Sequence, residues 1–141
     1  MNLEDNQGAL RLVAILRGVT RVQAMEATEV FVDAGLKAVE IMYNTKDAPR
    51  IINNLASKYG DQLLVGAGTV MTVEDVTSAR EAGASFILSP DCNTEVIKAS
   101  KGAGMFSVPG AFTATEVATA HRAGADMVKL FPAGRLGPGY M

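Results

Sequence analysis

Short apolar runs alternate with longer stretches of helical spacing, and a glycine marks most of the transitions. Asp33-Ala34-Gly35 leads into Ala38-Val39-Glu40-Ile41-Met42, and Lys58-Tyr59-Gly60 into Leu63-Leu64-Val65-Gly66. The pattern returns at Glu81-Ala82-Gly83 before Phe86-Ile87-Leu88, and at Gly102-Ala103-Gly104 before Met105-Phe106-Ser107-Val108. It closes with Arg122-Ala123-Gly124 before Met127-Val128-Lys129-Leu130. These glycines recur every 20 to 25 residues, the length of a βα unit. A glycine at such a position ends a helix in the left-handed conformation, and the strand follows at once.

This reading predicts six strands, near residues 12–17, 38–43, 63–67, 86–89, 105–109 and 127–131, joined by five helices. Helix starts agree with it. Thr20-Arg21-Val22-Gln23 and Thr113-Ala114-Thr115-Glu116 read as capping boxes. Thr72, and either Asp91 or Asn93, are suited to cap two more helices.

Strands alternating with helices imply a parallel sheet, either a closed barrel or an open doubly wound sheet. Gly66-Ala67-Gly68-Thr69-Val70 lacks the later glycine of a dinucleotide fingerprint. The even repeat and the polar groups at strand ends favour an α/β fold of the TIM (β/α)8 barrel type. Such barrels take about 200 to 250 residues, and this chain has 141. The expectation is a single barrel domain over residues 1–141 with about six βα units, truncated before strands 7 and 8. A sixth helix is expected to begin near Leu136-Gly137-Pro138-Gly139-Tyr140-Met141.

Composition changes this picture little. The chain is 48% hydrophobic and 20% charged, with a net charge of -2. Without a basic run, nucleic acid is not an expected partner. A single cysteine, Cys92, excludes an intrachain disulfide and a cysteine metal cluster. The start, Met1-Asn2-Leu3-Glu4-Asp5, has no signal-peptide pattern, and no apolar stretch is long enough to span a bilayer. A cytoplasmic protein with no membrane partner is the expectation.

The candidate chemistry lies in charges placed among apolar strand residues. Side chains alternate along a strand. Glu40, between Val39 and Ile41, is expected to point inward with Met42 and Asn44, and Lys129, between Val128 and Leu130, likewise. Arg17 ends the first strand and Thr69 follows the third. These positions fall near the carboxyl ends of strands, where parallel barrels build active sites. Apolar surroundings favour a neutral lysine amine, which attacks ketones to give a Schiff base. A carboxylate moves protons, a guanidinium clamps a carboxylate at two points, and a hydroxyl adds a hydrogen bond. The same residues also fit a structural Glu40–Lys129 ion pair with Arg17 solvated. Cys92 at another strand end and His121 at a helix end read as structural or surface residues. No His/Asp/Glu cluster has metal-ligand spacing.

At this point the motifs carry a resemblance. Ile15-Leu16-Arg17-Gly18, Val39-Glu40-Ile41, Gly66-Ala67-Gly68-Thr69-Val70, Ser89-Pro90, Val108-Pro109-Gly110 and Val128-Lys129-Leu130-Phe131-Pro132-Ala133 stand in this order. In this the chain resembles the bacterial class I aldolases acting on 2-keto-3-deoxy-6-phosphogluconate, its galactonate epimer, or 4-hydroxy-2-oxoglutarate. The resemblance implies Lys129 as the Schiff-base lysine, Glu40 as the proton shuttle, and Thr69 near the pyruvyl carboxylate. Gluconate-type members carry an arginine in a Leu-Arg-Thr context after the glutamate, where this chain has Tyr43-Asn44-Thr45. Galactonate-type members place it in an Ile-Leu-Arg-Gly strand, which matches Arg17. The implied activity is cleavage of a 2-keto-3-deoxy-6-phospho sugar acid to pyruvate and glyceraldehyde 3-phosphate. It needs no cofactor and no metal, and the family's homo-oligomer is a trimer. The epimer stays open, and the alternatives are hydroxyoxoglutarate cleavage or a truncated barrel fragment without turnover.

Overall fold

The computed structural model describes residues 9–134 and 137–140. The acidic N-terminal run at 1–5 lies outside the described residues, as do Leu136 and Met141 of the expected sixth helix start.

Alternation of strand and helix is realised in chain order. Strand β1 (Ala14–Leu16) leads to helix α1 (Arg21–Asp33), β2 (Ala38–Met42) to α2 (Ala48–Tyr59), and β3 (Leu64–Gly68) to α3 (Val73–Glu81). Strand β4 (Phe86–Leu88) leads to α4 (Thr94–Gly102). Then β5 (Phe106–Val108) and β6 (Gly110–Ala111) precede α5 (Ala114–Arg122) and β7 (Lys129–Leu130). Strands β1 to β5 form one parallel sheet in sequential order, and β6 pairs in parallel with β7.

Both expected capping boxes are present, at Thr20 with Gln23 and at Thr113 with Glu116. Thr72 caps α3, and Asn93 rather than Asp91 caps α4 through the amides of Glu95 and Val96. Four of the five marker glycines, Gly35, Gly83, Gly104 and Gly124, have positive φ. Gly60 departs from expectation: at φ -57° it prolongs the last turn of α2, and its amide donates to the Ala56 carbonyl.

The fifth expected strand divides at Pro109, whose nitrogen has no hydrogen to give to a ladder. The sixth strand is shorter than its apolar sequence suggests and only half-buried. The physical reason is its one-sided pairing: among the described residues β7 pairs with no strand but β6.

Two apolar layers flank the sheet. On the outer side Val39, Ile41, Val65, Ala67 and Ile87 pack with Ile51, Ile52, Leu55 and Val76 from the helices. On the inner side Ala38, Leu64, Phe86, Phe106 and Val108 pack with Leu10. Every residue of β2 and β3 is buried, as expected for strands covered on both faces. Gly66 belongs to the inner face, and the Phe86 ring fills the space a Cβ there would take. At the β1 edge the inner face is open: Ile15, opposite Glu40 in the ladder, is 55% exposed.

Candidate active site

Strand β2 delivers Glu40 to the inner face, and the residue is only 2% exposed. Its Oε2 has no hydrogen-bond partner among the described residues. Burial pushes the carboxyl above its ordinary value, while the charges of Lys129 and Arg17 oppose that shift. Both cations therefore act on Glu40 through space. Yet the ion pairs among the described residues are Lys58–Glu29 and Lys101–Asp126, and neither involves Glu40. A structural Glu40–Lys129 salt bridge is thus not formed. A buried carboxylate oxygen without a partner is costly to hold, and carboxyl groups perturbed by burial and by nearby charges cluster at functional sites.

Lys129 reaches the same side from β7. Gly110 is its ladder partner, and its amide donates to the Pro109 carbonyl at 2.9 Å. Its Nζ lies 4.7 Å from the centroid of the Phe131 ring. The residue is half-buried, not enclosed in the apolar strand the sequence pattern predicts. The motif glycine matters here, because a Cβ on Gly110 would overlap the Pro90 carbonyl. The Ser89 amide also donates to the Val108 carbonyl, at 3.2 Å, so Ser89-Pro90 and Val108-Pro109-Gly110 interlock.

Arg17 follows β1 and is exposed; its Nε donates to Met42 Sδ on the inner face of β2. One residue on, the Gly18 amide donates to Thr45 Oγ1 at 3.1 Å, tying the loop after β1 to the loop after β2. Thr69 follows β3 in the left-handed region at φ 58°, a costly conformation for a β-branched residue. Asn44 does not join Glu40 and Met42. The strand ends at Met42, alternation lapses, and Asn44 is exposed on a cleft of about 480 Å3 shared with Gly18 and Arg50.

Sequence reasoning did not single out Gly68 for its size. A Cβ there would overlap the Glu40 carboxylate. The signal was present in the inward-facing Gly66 and Gly68 of a strand otherwise built of apolar residues. Cys92 donates its thiol to the Glu116 carbonyl at 3.3 Å, and burial pushes that thiol up, with Glu116 and Asp91 adding to the shift. His121 is exposed in the last turn of α5. Among the described residues, no three His, Cys, Asp or Glu side chains converge to hold a metal.

Parallel strands in sequential order, helices on one side and a carboxylate with two cations on the other define a partial barrel of the (β/α)8 type. The family model for KDPG and KHG aldolases matches residues 3–139, and the chain belongs to that family. It is 42% identical over 135 residues to the 2-dehydro-3-deoxy-6-phosphogalactonate aldolase of Escherichia coli strain K12, covering 96% of this chain and 66% of that one. The native KDPGal structure superposes with a TM-score of 0.90 at 42% identity, over 93% of this chain and 64% of the other. The Legionella pneumophila KDPG aldolase, with pyruvate captured as a covalent carbinolamine intermediate, superposes with a TM-score of 0.81 at 26% identity, over 89% and 60%. The chain thus spans less than two thirds of the length of these relatives. Among the described residues, no helix is long and apolar enough to cross a membrane.

Proposed function

We propose that this chain carries the imine-forming half of a class I aldolase site for a 2-keto-3-deoxy-6-phospho sugar acid. The observation that carries the reading is the buried Glu40 carboxylate, unpartnered at Oε2 and held in the field of Lys129 and Arg17.

Lys129 Nζ gives up a proton, to Glu40 or through one water, and attacks the C2 ketone; the carbinolamine hydroxyl takes up a proton and leaves as water, giving an iminium. Glu40 accepts the C4 hydroxyl proton, directly or through one water. The C3–C4 bond breaks, its electron pair flows towards the iminium nitrogen, and glyceraldehyde 3-phosphate departs. The remaining enamine takes a proton at C3, and hydrolysis releases pyruvate and the free amine. Arg17 clamps the substrate carboxylate, with the Thr69 hydroxyl as a second contact. Burial raises the Glu40 pKa above its ordinary value, the direction that makes a carboxylate a better proton acceptor.

The placement of Arg17 in Ile15-Leu16-Arg17-Gly18, and 42% identity to a galactonate-type enzyme, support the galactonate epimer over the gluconate one. In the same proposal, residues 1–141 form one barrel domain with six of the family's eight βα units, in a cytoplasmic homo-oligomer, a trimer. In a second reading the same inner face binds a small oxoacid without turning over the phosphorylated substrate.

Pyruvate with borohydride tests the imine. The expected result is a stable pyruvyl adduct on Lys129, absent from Lys129→Ala and Lys129→Arg, since arginine keeps the charge but forms no imine. An adduct of undiminished yield on those variants moves the nucleophile elsewhere. Turnover of the phosphorylated substrate, assayed alongside, separates the aldolase from the oxoacid binder.

A further inference from the structure

Strand β7 is two residues long, and a one-residue slip would turn Lys129 away from Glu40. Its ladder is also short of donors, because Pro109 contributes no N–H. A side chain outside the proposed site makes up the deficit. Asp126 Oδ2 accepts the Ser107 amide of β5 at 2.8 Å, and the Asp126 amide donates to the Ser107 carbonyl at 3.0 Å. The two residues thus exchange a pair of hydrogen bonds in which a carboxylate oxygen replaces a backbone acceptor. Lys101, in the last turn of α4, grips both oxygens of that carboxylate, at 2.6 Å to Oδ1 and 2.8 Å to Oδ2. The pair is partly buried, with Asp126 at 18% and Lys101 at 30% side-chain exposure.

We infer that Asp126, fixed by Lys101, is the positioning residue that sets the register of β7 and aims the Lys129 amine at the inner face. This deepens the imine reading above and rests on it for the chemical consequence. The register itself stands apart from any chemistry. Asp126 sits three residues before Lys129, so the clamp defines one end of the segment and the Lys129–Pro109 hydrogen bond the other.

The test uses the full chain with Asp126→Ala, Asp126→Asn and Lys101→Met, and two readouts. Amide hydrogen exchange by NMR reads the register whether or not pyruvate is bound. In Asp126→Ala the Ser107 and Lys129 amides should exchange at least about tenfold faster, while Val65 and Ile41 in the centre of the sheet stay protected. The rate of borohydride trapping on Lys129 should fall about 10- to 100-fold with little change in the pyruvate concentration for half-saturation, the signature of a misaimed amine. Asp126→Asn keeps an oxygen for Ser107 and should restore most of both; Lys101→Met should fall between. Unchanged exchange at Ser107 and Lys129 in Asp126→Ala overturns the clamp. Faster exchange with a wild-type trapping rate overturns its role in aiming Lys129. If the wild-type chain traps no pyruvate, the imine reading fails, and exchange alone decides the register.

Discussion

Gly68 and the Glu40 carboxylate compete for one volume on the inner face of the sheet. A Cβ at Gly68 would overlap Glu40 Oε1, and β3 can present no other residue there without moving the carboxylate. The expected consequence of Gly68→Ala is a chain that folds, less stable by about 1–3 kcal/mol as for other overpacked interiors. Glu40 should be displaced. Proton exchange at the pyruvate methyl group in deuterated water, followed by NMR, should slow far more than borohydride trapping on Lys129. Equal exchange rates in the variant and the wild type would show that the carboxylate tolerates displacement.

Glu40→Gln separates the chemistry of the carboxylate from its volume. The amide cannot take a proton, so methyl-proton exchange should drop by roughly 10²- to 10⁴-fold, with imine formation much less affected. The variant also has a defined pH signature. Burial raises the folded-state pKa of Glu40 above its ordinary value of 4.5. The folded protein therefore holds that proton more tightly than the unfolded chain. Stability contributed by the protonated side chain is fully present below pH 4.5 and is lost as pH rises through the folded value. Glu40→Gln should gain on the wild type across that window. Denaturant midpoints at pH 4 and pH 7, taken for both proteins, check the sign.

Arg17→Lys should raise the pyruvate KM severalfold and leave the maximal trapping rate nearly unchanged. Lysine cannot reproduce the planar two-point contact of a guanidinium with a carboxylate. It also forfeits the Nε contact with Met42 Sδ that steers the side chain across the inner face. An unaltered KM would assign the carboxylate to another group.

Thr69 sets local strain against binding. Its φ of 58° is unfavourable for a β-branched residue and free of penalty for glycine. Thr69→Gly should relieve about 1 kcal/mol or more of that strain, partly offset by the lost packing of a half-buried side chain. Stability should hold or rise while the pyruvate KM rises with loss of the hydroxyl. Calorimetric melting and a KM determination read the two effects separately. A variant that melts much earlier would mean that the Thr69 side chain stabilises the loop after β3.

The sequence by itself determined the order of elements, because caps, helix-ending glycines and apolar alternation act within a few residues. Thr20 with Gln23, Thr113 with Glu116, and Glu40 between Val39 and Ile41 are signals of that local kind. Alternation sent Glu40 inward correctly and failed for Asn44, since a period of two holds only while the chain is extended, and β2 ends at Met42. Tertiary structure alone decided what each inward side chain meets. The space at Gly68 is filled by Glu40 from β2, the neighbour on one side, and that at Gly66 by the Phe86 ring from β4, the neighbour on the other. The half-burial of Lys129 depends on which strands flank β7, and its register on Lys101 and Ser107, 25 and 19 residues from Asp126 along the chain. Such contacts are fixed by side-chain volumes and hydrogen-bond partners converging from separate βα units, and nothing in the local spacing around Lys129 encodes them.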